Sequence, residues 1–182
     1  MLAITFDDGP HPVYTPQLLD GLKRRNVKAS FFLMGKNILG NEEIIQRMHE
    51  EGHLIGNHTF DHVRLNKLSD SEACNQITKT SNLIYEITGQ YPSYVRPPFG
   101  EWKEDLDCTV TMLPVFWDVD PLDWNTQNAD QVVQKVVDSV ENGDIILLHD
   151  SYASSVEAAL QIIDIMTKQG YDFVTVDRLI LD

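Results

Sequence analysis

The segment Thr5-Phe6-Asp7-Asp8-Gly9-Pro10 sets two carboxylates side by side ahead of a Gly-Pro pair. Adjacent acids repel each other and Gly-Pro imposes a sharp turn, so alone this segment reads as a solvated turn. His58-Thr59-Phe60-Asp61-His62 adds two imidazoles four residues apart, a spacing that places both on one face of a helical turn. Two histidines and one aspartate suit a borderline-soft divalent ion such as Zn²⁺ and leave coordination positions for water and substrate. A lone histidine pair is commonly incidental. Joined to a carboxylate from a neighbouring strand end, it becomes a catalytic metal site. His11, His49 and His53 have no such company and read as surface or core residues.

Three further segments carry chemistry. Arg96-Pro97-Pro98-Phe99-Gly100 puts a permanently charged guanidinium beside a backbone stiffened by two prolines. The run from Trp117 to Trp124 mixes acids with large aromatics, the combination expected where a sugar ring meets an apolar face. Ile145-Ile146-Leu147-Leu148-His149-Asp150 ends an apolar run in a histidine. Separately these read as a salt bridge holding the fold, an acidic loop and a capped strand end. Their joint occurrence in strand order is harder to dismiss.

The elements that must position these groups alternate between short apolar runs and longer stretches of helical period, the pattern of repeated βα units. The runs are Leu2–Phe6, Ala29–Leu33, His53–Gly56, Val95, Met112–Trp117, Asp144–Leu148 and Tyr171–Val174. Helices are expected from Thr15-Pro16, with Thr15 as N-cap and Pro16 at the first helical position, and over Glu42 to Glu51. Ser69 followed by Glu72 is a capping box opening a helix toward Gly89. Later helices are expected from Ala129 to Val140 and from Val156 to Gln169. The fold class is therefore α/β, an incomplete or distorted (β/α) barrel of about seven parallel strands, with chemistry at the carboxyl ends of the strands.

The composition narrows the class of function. With 28 acidic and 14 basic side chains the net charge is −14, which argues against a nucleic-acid partner, since phosphate contacts need clustered Lys and Arg. At 42% hydrophobic the chain is a folded domain, and its 182 residues make one domain whose core needs no metal staple. Any metal is then expected to be functional. Cys74 and Cys108 read most simply as buried small apolar residues, with a disulfide between them as the alternative. No apolar run is long enough to span a membrane, so no membrane contact by this domain is expected. The chain opens directly on an apolar strand without a polar lead-in, which suggests a trimmed start. If a signal or anchor precedes it in a longer protein, that protein works outside the cytoplasmic membrane of a bacterium, and otherwise the sequence does not place it.

Read together, the five segments resemble the signature set of the polysaccharide deacetylase family, the NodB-like group also called carbohydrate esterase family four. The similarity runs from Thr5-Phe6-Asp7-Asp8-Gly9-Pro10 to Leu147-Leu148-His149, essentially the whole chain. It implies one catalytic domain over residues 1–182 that removes acetyl groups from N-acetylglucosamine units of peptidoglycan or a chitin-type oligomer. It further implies one divalent ion on Asp8, His58 and His62, with Zn²⁺ as the default and Co²⁺, Ni²⁺ or Mn²⁺ able to occupy the same ligands. Asp7 is then the general base, Arg96 orients it, and the Phe99 backbone N–H helps to bind the oxyanion. His149 is the acid that protonates the leaving amine, and Asp123 holds it. Trp124 and Leu147 wall the acetyl pocket, with Pro98 counted among the substrate contacts. The expected partner is an acetylated polysaccharide or oligosaccharide, and the domain is expected to be a monomer. The rival readings are O-deacetylation of acetylxylan, opening of a small cyclic amide, and a non-catalytic carbohydrate-binding domain. The intact set of candidate residues weighs against the last.

Overall fold

The computed structural model describes residues 1–108 and 111–180. Six strands, β1 (Ala3–Asp7), β2 (Ser30–Leu33), β3 (Leu54–Asn57), β4 (Tyr94–Val95), β5 (Leu113–Pro114) and β6 (Ile145–His149), pair in the order β5-β4-β3-β2-β1-β6. All the pairings are parallel. The parallel order requires crossovers, which are supplied by α1 (Tyr14–Arg25), α2 (Gly35–Ile38), α3 (Glu42–Glu50), α4 (Asp70–Thr88), α5 (Asp123–Thr126) and α6 (Ala129–Ser139). After β6 come α7 (Ala153–Lys168) and α8 (Val176–Ile180).

The sheet curls into an incomplete barrel. The chain leaving β5 reaches the opposite edge, where Val119 forms a parallel bridge with Ile146 and accepts the Leu147 N–H at 2.9 Å. Ala3, Phe32, Tyr94 and Val115 pack together with Val176 of α8. A second and larger cluster, including Ile4, Phe6, Phe31, Leu18, Leu148 and Ile162, joins strands to helices. β1 and β2 are therefore buried along their whole lengths, which is why they read as continuous apolar runs rather than as alternating ones.

Several expectations shift on inspection. The sheet has six strands among the described residues, because the run Tyr171–Val174 contributes only an isolated bridge from Phe173 to Leu2. Helix α1 begins at Tyr14, not Thr15, and Val13 supplies no side-chain cap. His11 fills that role instead, its Nδ1 accepting the N–H groups of Val13 and Tyr14 at 3.1 Å each. Cys74 and Cys108 are half-buried and joined by a disulfide, so they are not isolated apolar residues. The capping box of α4 forms as expected, with Ser69 and Glu72 satisfying each other's backbone N–H groups and Gly89 closing the helix in the left-handed region.

Candidate active site

Strand register brings the first and last segments together. Asp7 ends β1 and lies directly across from His149, which ends β6. β3 adds His58 immediately after Asn57, which faces Val95, the residue before Arg96. Four strand ends thus deliver Asp7, His58, Arg96 and His149 to one rim of the barrel. With Asp8, His62, Pro97, Phe99, Trp117, Asp120, Leu122, Trp124, Leu147 and Tyr152 near them, Asp7, His58 and His149 line a cavity of about 400 Å³. Pro98 is buried and does not line the cavity, whereas Pro97 does.

Arg96 is fully buried and reaches from β4 toward β1. Its Nη1 donates to Thr5 Oγ1 at 2.6 Å and to Asp7 Oδ1 at 3.0 Å, while Nε and Nη2 bond the carbonyls of Val115 and Phe116. All three guanidinium nitrogens donate hydrogen bonds, and Cζ lies 4.2 Å from the centroid of the Phe32 ring. A buried charge so thoroughly hydrogen-bonded is a fixed element, and it fixes the Asp7 carboxylate with it.

His58 and His62 do not share a helical turn. They sit on an irregular loop in which Thr59 and His62 adopt left-handed backbone (φ 64° and 58°), and this conformation, rather than a helix, turns both rings toward Asp8. Asn57 and Gln76 hold the loop, Asn57 Oδ1 accepting the Thr59 N–H and Gln76 Oε1 those of Phe60 and Asp61. Asp8 Oδ1 lies 3.3 Å from His58 Nε2 and 3.5 Å from His62 Nε2.

This trio fits a divalent cation. Asp8, His58 and His62 offer ligand atoms within 4.8 Å of one another, and Asp8 Oδ1 is buried without a hydrogen-bond partner. His58 Nδ1 is 2.6 Å from the Arg96 carbonyl, which can only accept, so Nδ1 carries the proton. The neutral ring then turns its Nε2 lone pair toward Asp8, an arrangement that a cation between them satisfies. Without the ion, burial opposes the charged form of His58, but the carboxylates of Asp7 and Asp8 raise its pKa all the same. Asp8 shows the converse: burial resists ionisation, yet the close His58 imidazole, with His149 and His62, holds it below the usual carboxylate range.

Across the cavity, His149 Nε2 faces Asp8 Oδ2 at 4.0 Å. Burial alone would depress this imidazole, but the hydrogen bond and charge of Asp123 raise its pKa to about 9. Asp123 is itself fully buried and also accepts from Ser155 Oγ at 2.6 Å. Trp124 and Leu122 stand half-exposed at the mouth, and Leu147 forms the floor.

Three positioning groups escaped the sequence reading. Thr5 sits two residues before Asp7, on the same face of β1, and that period of two was a usable signal. Ser155 has no sequence signal, since only folding brings it to Asp123. Asp150 is fully buried; its Oδ2 accepts the Thr15 hydroxyl at 2.5 Å, while Oδ1 has no partner. A Cβ on Gly9 would sit 2.7 Å from that carboxylate, so the turn after Asp8 admits only glycine.

A family model described as polysaccharide deacetylase matches residues 1–113. The peptidoglycan-N-acetylmuramic acid deacetylase PdaC of Bacillus subtilis is 42% identical over 179 residues, 98% of this chain and 38% of that protein. The peptidoglycan-N-acetylglucosamine deacetylase PgdA of Listeria monocytogenes is 39% identical, again over 98% of this chain and 38% of its own length. This chain therefore spans only 38% of these curated relatives. A solved structure of peptidoglycan deacetylase PdaC from Bacillus subtilis superposes with a TM-score of 0.94 at 42% identity, over 98% of this chain and 89% of that one. On these grounds the chain belongs to the polysaccharide deacetylase family.

Proposed function

We propose that this domain hydrolyses N-acetyl groups on the N-acetylglucosamine units of a wall polymer or chitin-type oligomer. The observation that carries the reading is the convergence on one cavity of an Asp-His-His trio, an Arg-held carboxylate and an Asp-held imidazole, Asp7 and His149 being direct strand partners. The relatives' names, one for N-acetylmuramic acid and one for N-acetylglucosamine, support deacetylation of a peptidoglycan-type polymer, and the N-acetylglucosamine unit is the one proposed.

An acetamide is a poor electrophile and neutral water a poor nucleophile. A divalent cation on Asp8, His58 and His62 would treat both problems, polarising the acetyl carbonyl and lowering the pKa of water from 15.7 toward roughly 7. Asp7, immobilised by Arg96, accepts the proton of the attacking water. The Phe99 N–H, which no hydrogen bond among the described residues uses, is free to meet the tetrahedral oxyanion. His149 hands its Nε2 proton to the departing amine, because an amide anion does not leave unprotonated, and Asp123 keeps the ring charged and oriented for that transfer. Leu147 and Trp124 wall the side on which the acetyl methyl rests. A wall polymer as substrate fits a protein that works outside the cytoplasmic membrane.

The test is acetate release from N-acetylglucosamine oligomers, peptidoglycan and acetylated xylan in parallel, with chelated protein and after Zn²⁺ or Co²⁺ is restored. Metal-dependent release from either of the first two supports N-deacetylation. Release from xylan alone replaces it with ester hydrolysis, and no release from any of them rejects the reading.

A further inference from the structure

Phe99 is a non-glycine residue in left-handed backbone (φ 63°, ψ 11°), followed by Gly100 in the same region (φ 68°). Such a conformation costs about 1–2 kcal/mol for a residue with a Cβ and survives only where neighbours impose it. Phe99 lines the cavity, and its N–H is the donor assigned to the oxyanion in the reading above. The ring is half-exposed, so core packing does not impose the conformation.

Two groups do touch it. The His62 ring meets the Phe99 ring at a centroid distance of 4.8 Å and an interplanar angle of 66°. The Arg64 guanidinium lies over the ring with Cζ 4.0 Å from its centroid. Arg64 is held in turn by an ion pair to Glu101, two residues beyond Phe99, and by the fully buried Leu65 beside it in the chain. One arginine therefore clamps the Arg96–Glu101 segment at both the ring and the carboxylate, from the same loop that carries His62. The mechanism above assigns Arg64 no part.

We propose that Arg64 is a positioning residue for the deacetylation reaction: it holds Phe99 in its left-handed conformation, and thereby aims the Phe99 N–H at the oxyanion. It touches neither the reacting atoms nor the cation. The inference rests on the functional reading given above. A planar delocalised cation is the group best suited to lie on a ring while pairing a carboxylate, and lysine can do only part of this. Losing an oxyanion donor outright costs on the order of 10² to 10³ in kcat, so a donor left misaimed should cost about tenfold to a hundredfold.

The experiment compares Arg64→Met, which keeps the stem and removes the cation, with Arg64→Lys, in the full chain loaded with Zn²⁺. The expected result is a kcat about ten- to a hundredfold lower for Arg64→Met on N-acetylglucosamine oligomers, with KM and the Zn²⁺ dissociation constant within about twofold, and with Arg64→Lys between it and the parent. An unchanged kcat overturns the proposal, and so does a loss that follows weakened Zn²⁺ binding. A crystal structure of Arg64→Met decides the point separately from turnover. Phe99 returning to negative φ supports the assignment, whereas Phe99 keeping its left-handed backbone against His62 overturns it. A parent protein inactive on every substrate would reject the functional reading and leave this structural comparison to judge Arg64.

Discussion

Asp123 grips His149 twice. Its Oδ1 lies 2.8 Å from the ring Nδ1, and its Oδ2 accepts the backbone N–H of the same residue, also at 2.8 Å. The second bond ties the carboxylate to the end of β6, so ring and orienting acid move as one body. The Nδ1 proton is consequently fixed toward Asp123 and the Nε2 proton toward the cavity.

The pH dependence follows from this grip. His149 has a pKa raised to about 9, so it is an imidazolium through neutral pH and loses its proton only in the alkaline range. An acid must be protonated to work, so kcat/KM should fall on the alkaline side, and Asp123→Asn should move that limb to lower pH. In metal-free protein the same group favours folding. Its contribution is fully present below the unfolded value of about 6.5 and is lost as pH rises through about 9. His149→Ala should lower kcat on amide substrates by roughly 10² to 10⁴, and less on acetyl esters, whose leaving groups need protonation less. Parallel rate profiles on the two substrate types check this, and equal losses on both would contradict it.

The pair Asp7–Arg96 predicts coupled losses of activity and stability. Both side chains are almost completely buried at 3.0 Å, so removing one strands the other charge without water. Arg96→Met should cost roughly 3–5 kcal/mol of stability, on the order of 10 °C in Tm, along with activity. Asp7→Asn keeps an acceptor for the guanidinium but removes the base, so its kcat should fall by roughly 10² or more. Thermal melts beside acetate assays separate the two effects.

Most of this arrangement was legible in the sequence, and the exceptions share a cause. The strand ends were visible because β1 and β6 are apolar runs that stop at the residues that carry chemistry, Asp7 and His149. The loop bearing His62 was misread as helical because spacing reports a period and not the backbone that produces it. Here His58 and His62 reach the same juxtaposition through left-handed φ at Thr59 and His62. Ser155 and the Arg64–Phe99 contact were invisible because each depends on segments that only the closed barrel brings together. The disulfide was undecidable in principle, since a separation of 34 residues says nothing about where two Cβ atoms lie.

Removing a ligand should be seen first in cation binding. His62→Ala leaves Asp8 and His58 alone, and Zn²⁺ occupancy should drop well below one per chain, measured by elemental analysis after dialysis. In the parent, free Zn²⁺ at a hundred times its Kd should add about 2.7 kcal/mol of stability, and a chelator should reverse the rise in Tm. Because the ligating imidazoles must be neutral, the affinity should weaken as pH falls.

Asp150 supplies a prediction of the opposite sign to those for the other carboxylates. Burial, only partly offset by the Thr15 hydroxyl, raises its pKa to about 7, so the folded protein keeps this acid neutral under mildly acidic conditions. A group whose folded pKa lies above its unfolded value of about 3.9 favours folding at low pH, and that advantage is lost as pH rises through about 7. Above that point the protein carries a buried carboxylate pressed against Gly9, one residue from Asp8. Asp150→Asn preserves the shape and an acceptor for Thr15 while removing the ionisation. In metal-free protein it should therefore raise Tm more at pH 8 than at pH 5. Equal shifts at the two pH values would show that Asp150 stays ionised throughout, and a loss at both would mean that the acid proton itself makes a bond that Asn cannot replace.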